Sequence, residues 1–425
     1  MPLQQIDLDT VQPNNKRGVP GRTAMTIVNQ NSAETEQRVA ALEAGGPQVD
    51  QRIAALDLAL EEEQAARAAA DSDLALALNA LTGRMTGKNR LINGNFDFWQ
   101  RGTSFSGPTF AGYTADRFYV EMGSMAGCTC TRQPVTPGNP GFKAAPAYAM
   151  QFDYTGNTNA AGHYLLLHQR AEDVRVWAGS ETMLSFTVFN SGAAGRQIAI
   201  EFIQHFGTGG SAPITGLLAR KITLSAGFNY VEVPFTLPSV TGKSIGPNSY
   251  ADAIVWLSGG SSFNARNGSL GAQSGQLIFS ALQWEEGSVA TGFERRPAGL
   301  ELVLCQRYFQ KSFPAEVAPT LNHPGVHAPA VGFSATAARI YQPFRVEMRA
   351  TPAITIYRGQ ETSAGNTGSI QLYYPTAGAW DSTNNAANVS SARPTGFQVD
   401  AFPTFPVGGA STYIAAFNWT ADAEI

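Results

Sequence analysis

Val49-Asp-Gln-Arg-Ile53-Ala-Ala-Leu56-Asp-Leu-Ala-Leu60 decides how this chain is built, because its apolar residues return at steps of four, three and four. The register continues through Glu63, Arg67, Ala70, Leu74, Ala77 and Leu81, until Gly83-Arg84-Met85-Thr86-Gly87 halts it. Alternating steps of three and four form the a/d seam of a coiled coil, here about four to five heptads long. At ~1.5 Å per residue it makes a rod on the order of 50 Å long. One helix cannot bury so narrow a stripe by itself. The spacing therefore predicts association with copies of the same chain, the alternative being a single helix laid on the β head; Glu63 and Arg67 weaken the seam but can set register by pairing between chains, and two strands against three stays open. From Asn89 onward Gly, Ser, Thr, Asn and aromatics dominate, the makeup of sheets joined by turns. A helical stalk carrying a large β head holds something at a distance, and is not the plan of a soluble metabolic enzyme.

Upstream of the seam, a first helix is expected from Ser32 or Ala33 to about Ala44. Ser32 caps it, Glu34 and Glu36 suit the positive end of its dipole, and Gly45-Gly46-Pro47 ends it. Residues 1–31, with Pro13-Asn-Asn-Lys-Arg-Gly-Val-Pro-Gly21, read as an extended attachment peptide that becomes ordered on a partner. The helical stalk is assigned to 32–88.

Past Asn89 the period falls to two. Ile198-Ala-Ile-Glu-Phe-Ile203, Tyr230-Val-Glu-Val-Pro-Phe235, Ala253-Ile-Val-Trp-Leu257 and Leu277-Ile-Phe-Ser-Ala-Leu282 are short strand candidates between Gly/Ser turns. No helices intervene, which predicts an antiparallel sandwich over 89–311. Pro297 to Gln310 reads as a short helix with proline near its first turn. After the Pro/His-rich stretch 314–329, a second β domain over 312–425 is expected to be another sandwich. Its strand candidates run from Val331 to Tyr341, from Pro343 to Met348 and at Ala353-Ile-Thr-Ile-Tyr357, and in the last one Tyr413, Ala415, Phe417 and Trp419 share one face. Trp177, Trp256 and Trp284 lie in strand-like runs and are assigned to cores. The expected fold class is mainly β with an N-terminal coiled coil and two jelly-roll-like sandwiches in series.

The 425 residues carry a formal net charge of −4, which gives no case for nucleic acid or anionic membrane as partner. No apolar run approaches the ~20 residues of a membrane span. The N-terminal residues lack a basic start and an apolar core, so synthesis and folding in a cytoplasm are expected. Cys128, Cys130 and Cys305 have no zinc or thioredoxin spacing and read as free, buried thiols.

Leu91-Ile-Asn-Gly-Asn-Phe-Asp-Phe-Trp-Gln-Arg-Gly102 is similar to the opening of a β-sandwich module of phage tail fibres, and Tyr113-Thr-Ala-Asp-Arg-Phe118 fits the same pattern. Leu282-Gln-Trp-Glu-Glu-Gly287, Phe293-Glu-Arg-Arg-Pro297 and Cys305-Gln-Arg-Tyr308 resemble its close. Met348-Arg-Ala-Thr-Pro-Ala-Ile-Thr355 and Trp419-Thr-Ala-Asp-Ala-Glu424 resemble distal fibre domains. The resemblance brackets residues 90–425. It implies a trimeric virion fibre or spike from a tailed phage or a phage-like particle such as a gene transfer agent, made in a bacterial cytoplasm. It further implies binding to a host cell-surface glycan and attachment to a virion structural protein through residues 1–31. The same segments resemble jelly-roll carbohydrate-binding modules, in which Asp97 and Glu285 match positions that hold a structural calcium.

No G-x-S-x-G, H-E-x-x-H or Walker loop is present, and no cofactor or metal site is expected. His163, His168, His205, His323 and His327 sit at no recognised ligand spacing and read mostly as surface or turn residues. Asp116, Asp153, Glu172, Asp173 and Glu201 leave a paired-acid hydrolase open as an alternative, beside a purely structural connector. Sugar binding needs a flat aromatic face flanked by groups that reach hydroxyls. The best local match is Tyr373, Tyr374, Trp380, Asp381, Asn384 and Asn385, with Arg393 further on.

Overall fold

A computed structural model of the chain describes residues 21–82, 87–321, 323–334, 336–359, 367–374, 378–380, 385–402 and 412–425. The chain divides into two compact units, one ending at Ala80 and the other beginning at Leu81. The first is built on a single helix, α1 (Gly21–Thr82), of 62 residues and about 90 Å. It starts before the expected Ser32, so residues 21–31 are helical rather than extended. It also runs through Pro47, where a break was expected. Proline removes one hydrogen bond and crowds one carbonyl, and each glycine adds backbone entropy. Gly45, Gly46 and Pro47 together cost roughly 5 kcal/mol relative to alanine, which weakens a helix without dictating its end. Residues 1–20 lie outside the described residues, and with them most of the expected attachment peptide.

The second unit begins with twelve strands. They are β1 (Ser104–Ser106), β2 (Phe110–Tyr113), β3 (Tyr119–Gly123), β4 (Gly127–Pro134), β5 (Tyr148–Thr155) and β6 (Tyr164–Glu172). Then follow β7 (Glu181–Asn190), β8 (Gln197–His205), β9 (Ile214–Thr223), β10 (Gly227–Thr236), β11 (Tyr250–Gly259) and β12 (Ser274–Glu286). They form two six-stranded sheets, ordered β1-β4-β5-β12-β7-β10 and β2-β3-β6-β11-β8-β9. Every pairing is antiparallel, so the expected sandwich is present. Alternation sorts the faces: Leu165, Leu167, Phe202 and Val255 meet Phe152, Phe186 and Phe279 of the other sheet in one core. Trp284, fully buried, joins Phe202 at 5.2 Å. Trp256 is equally buried, but in a smaller cluster on the outer side of its sheet, beneath the single turn α2 (Asn264–Asn267).

The opening motif is a set of staples. Asn89 accepts the amides of Leu91 and Trp284 and donates to the Leu282 carbonyl. Asn93, at φ 62°, accepts the Phe98 amide and donates to the carbonyls of Phe98 and Asp116. Gly94 has no room for a side chain: a Cβ there would lie 2.1 Å from the Leu282 carbonyl oxygen.

Helix α3 (Ala298–Gln306), with Pro297 as its N-cap, sits where a short helix was expected. Nine strands follow: β13 (Phe309–Lys311), β14 (Val326–Ser334), β15 (Ala337–Pro343), β16 (Ala353–Arg358), β17 (Ser369–Tyr374), β18 (Ala379–Trp380), β19 (Asn385–Arg393), β20 (Gly396–Phe402) and β21 (Thr412–Asp422). They do not make a second sandwich. β21 pairs with β14 on one edge and β17 on the other, so β14-β15-β20-β19-β17-β21 closes into a barrel. At 11 residues β21 is long enough to take β13 and β16 as well, and closure removes the exposed edges a two-sheet arrangement would leave. Tyr413, Ala415, Phe417 and Trp419 all point into the barrel core, as their alternation predicts.

Arginines lock sandwich to barrel. Arg117, with a side chain 1% exposed, pairs through Nη1 with Glu424, donates to the Arg170 carbonyl, and lies 3.5 Å over the Tyr308 ring. Arg101 reaches Asp422 at 3.0 Å and Glu424 at 3.2 Å.

Candidate functional site

The outer face of the barrel follows from strand alternation. On β14, Ala328 and Ala330 turn inward, leaving His327, Pro329, Val331 and Phe333 outside. On β17, Leu372 and Tyr374 are buried and Tyr373 faces out. Tyr373 is opposite Trp380 of β18 and Ile414 of β21, and His327 is opposite Ala416. Trp380 gathers the cluster: its ring is 5.3 Å from Tyr373 and 5.2 Å from His327, and the side chain is 36% exposed. An exposed indole beside a phenol and an imidazole offers a flat apolar surface and polar groups for hydroxyls.

The face continues around the barrel. Tyr341 is 59% exposed. Arg339 lies 4.4 Å over the Phe333 ring and grips Asp400 through two bonds of 2.7 and 3.0 Å. Hydrogen bonds from Arg339 hold the Asp400 carboxyl below its usual range.

Of the residues read as a sugar site, the structure brings together Tyr373 and Trp380. Tyr374 points into the core, 5.5 Å from Tyr413, because it is one residue out of phase. Asn385 is fully buried opposite Ile370. Arg393 lies well away from this cluster: the register pairs Ser369 with Ala386, and β19 then runs away from Tyr373 for roughly 23 Å of strand. Asp381 and Asn384 lie outside the described residues. His327 was missed because 314–329 read as a Pro/His-rich connector. The signal was the alternation of small with larger residues in Val326-His-Ala-Pro-Ala-Val331.

A second aromatic stripe crosses the outer face of the β6-containing sheet. Tyr119 is 5.3 Å from His168, Arg170 lies 4.9 Å over Tyr250, and Tyr250 stacks on His205 at 4.7 Å. Beneath it, His168 is buried, with Nδ1 2.9 Å from Asp252 and Nε2 3.5 Å from Glu121. Burial pulls the imidazole down, but the two carboxylates outweigh it, and the pKa ends at about 9. His163 is also buried, bonded to Ser258 and the Ala160 carbonyl. His163 closes the turn that starts at Ala160, as expected, with its ring buried, whereas His168 is buried on the outer side of its sheet and is not a surface residue.

The acids weighed for hydrolysis are all engaged. Asp116 accepts from Gln100, Asp153 from Gln151 and Gln276, and Asp173 from Arg175. Glu172 accepts from Tyr308 and Arg307, and Glu201 from Arg266, Trp256 and the Gly216 amide. Glu285 is held by Thr291 and Gln283, and Asp97 has its pKa raised by burial. The three cysteines are free and buried, and burial pushes the Cys128 thiol up to about 12. Among the described residues no group of three or more His, Cys, Asp and Glu side chains is arranged to hold a metal ion, and no helix is long and apolar enough to cross a membrane.

No family model matches the chain, and no curated protein matches it. Distant likenesses exist among solved structures. The enzymatically active domain of bacteriophage CBA120 tailspike protein 4 is 13% identical with a TM-score of 0.26, over 47% of this chain and 22% of that one. The family 11 carbohydrate-binding module from Clostridium thermocellum, solved with a mixed-linked tetrasaccharide, is 13% identical with a TM-score of 0.25, over 46% of this chain and 99% of its own. The CBM22-2 xylan-binding domain from Paenibacillus barcinonensis Xyn10C is 14% identical with a TM-score of 0.26, over 46% of this chain and 98% of that one.

Proposed function

We propose that this chain is a homotrimeric adhesion fibre or spike of a tailed phage or phage-like particle, which binds a host cell-surface polysaccharide through the outer face of its barrel. The observation that carries the binding role is the exposed cluster of Trp380, Tyr373 and His327. The sequence resemblance to phage fibre modules supports the virion setting, with attachment through the N-terminal segment. The single-chain exposure of the α1 seam, where Leu42 is 76% and Leu56 69% exposed, supports oligomerisation. Three copies of a weak site act together through effective concentration, so no single site needs to be tight. Binding without cleavage is favoured because each acid weighed for hydrolysis already holds a structural partner.

The test is retention of fluorescently labelled protein on encapsulated bacteria and on an acapsular mutant of the same strain. The proposal expects retention on the first alone, lost in Trp380→Ala, with no release of reducing ends. Equal retention on both strains ends the polysaccharide reading, and release of reducing ends replaces it with a degrading spike.

A further inference from the structure

We infer that α1 pairs with α1 of identical chains in parallel and in phase, along one seam that runs from Met25 to Leu74 straight through Gly45-Gly46-Pro47. This rests on the oligomeric reading above and extends it to the N-terminal half of the helix, which was first read as attachment peptide plus a separate helix. Counting back from Val49 in steps of three and four lands on Gly46, Leu42, Val39, Thr35, Ser32, Val28 and Met25 without a slip. The register on the two sides of the proline is the same register. Because α1 is one helix through that point, both halves present the seam on one continuous stripe. Pro47 falls one position past the seam, where its ring does not meet a partner. Met25, Leu42, Ile53 and Leu74 on the stripe are all exposed in the single chain.

The occupant follows from period and charge. A stripe with a strict 3.5-residue repeat fits a helix of the same repeat, whereas a globular surface is met by a wider face of period 3.6. With Met25 as position a, the charged residues at position g are Arg38, Arg52 and, near the far end, Asp73, and those at position e are Glu36, Glu43, Asp50, Asp57 and Asp71. In a parallel, in-phase assembly each g residue faces the e residue five places on in its neighbour. Arg38 then meets Glu43, and Arg52 meets Asp57, one pair on each side of the Gly-Gly-Pro. An antiparallel arrangement would set arginine against arginine and acid against acid. The helix codes for its own copy in one orientation.

Two cysteine variants of the full chain test this, since the native thiols are buried. Val28→Cys and Leu56→Cys place a thiol at position d before and after the proline. Under air oxidation with copper phenanthroline, both should give interchain disulfides on non-reducing gels, and mixed chains should give no 28–56 hybrid. A cross-link at 56 but not at 28 ends the seam at the proline, and a 28–56 hybrid makes it antiparallel; either overturns the inference while leaving the oligomer intact. No cross-link from a chain that still sediments as an oligomer overturns it by moving the interface elsewhere. A chain that sediments as a monomer at micromolar concentration overturns the oligomeric reading itself. Arg52→Glu should raise the concentration for half-assembly at least tenfold, and Arg52→Glu with Asp57→Arg should restore it.

Discussion

Glu424 to leucine is expected to be among the most damaging single changes near the end of this sequence. Its carboxylate is 5% exposed and pairs with an Arg117 side chain that is 1% exposed. Without it, Arg117 keeps the Arg170 carbonyl at 2.9 Å and the Tyr308 ring, while its Nε already lacks a partner. Breaking a buried ion pair costs about 3–5 kcal/mol. Because the Arg170 carbonyl and the Tyr308 ring still hold the cation after the change, the lower end, about 3 kcal/mol, is expected, roughly a hundredfold in the unfolding equilibrium. Urea unfolding followed by tryptophan fluorescence reads it. Replacing both ends with apolar side chains, Arg117→Met with Glu424→Leu, should cost less than the two single changes summed, by about 2 kcal/mol. A loss below about 1 kcal/mol for Glu424→Leu, or strict additivity in the double variant, would refute the view that this buried pair holds sandwich to barrel.

The His168 pKa of about 9 stands above the ordinary 6.5, so its contribution to stability is complete below pH 6.5 and disappears as pH rises through 9. Lys311, drawn down by burial to about 8, acts in the opposite sense above that pH, since there the unfolded chain holds the extra proton. The clean readout is therefore the difference in thermal unfolding between His168→Gln and the parent: about 3 kcal/mol at pH 6, shrinking toward zero by pH 10. Gly94→Ala drives a Cβ into the Leu282 carbonyl and should leave the chain insoluble or destabilised by more than about 3 kcal/mol, measured as soluble yield and midpoint. Trp380→Ala should abolish polysaccharide retention with a melting temperature within about 2 °C of the parent, whereas Tyr374→Ala, in the core, should cost about 3 kcal/mol. Binding assays beside thermal melts separate the two.

Local pattern alone was enough for the helix past Val49, the two-residue alternation of the sandwich, the inward face of Tyr413 to Trp419, and the turn of helix after Pro297. Each depends on residues within about ten positions of one another, where side-chain direction is set by backbone period. The tertiary structure decided what depends on distant partners. β21 closes a barrel because both of its edges find strands. Tyr374 and Asn385 leave the candidate site because register turns them inward, and His327 joins it from 46 residues earlier in the chain. His168 is buried and charged because Asp252 and Glu121 arrive on neighbouring strands. The passage of α1 through Gly45-Gly46-Pro47 belongs to the same class: propensity weakens a helix at that point, and only the structure shows that the helix continues.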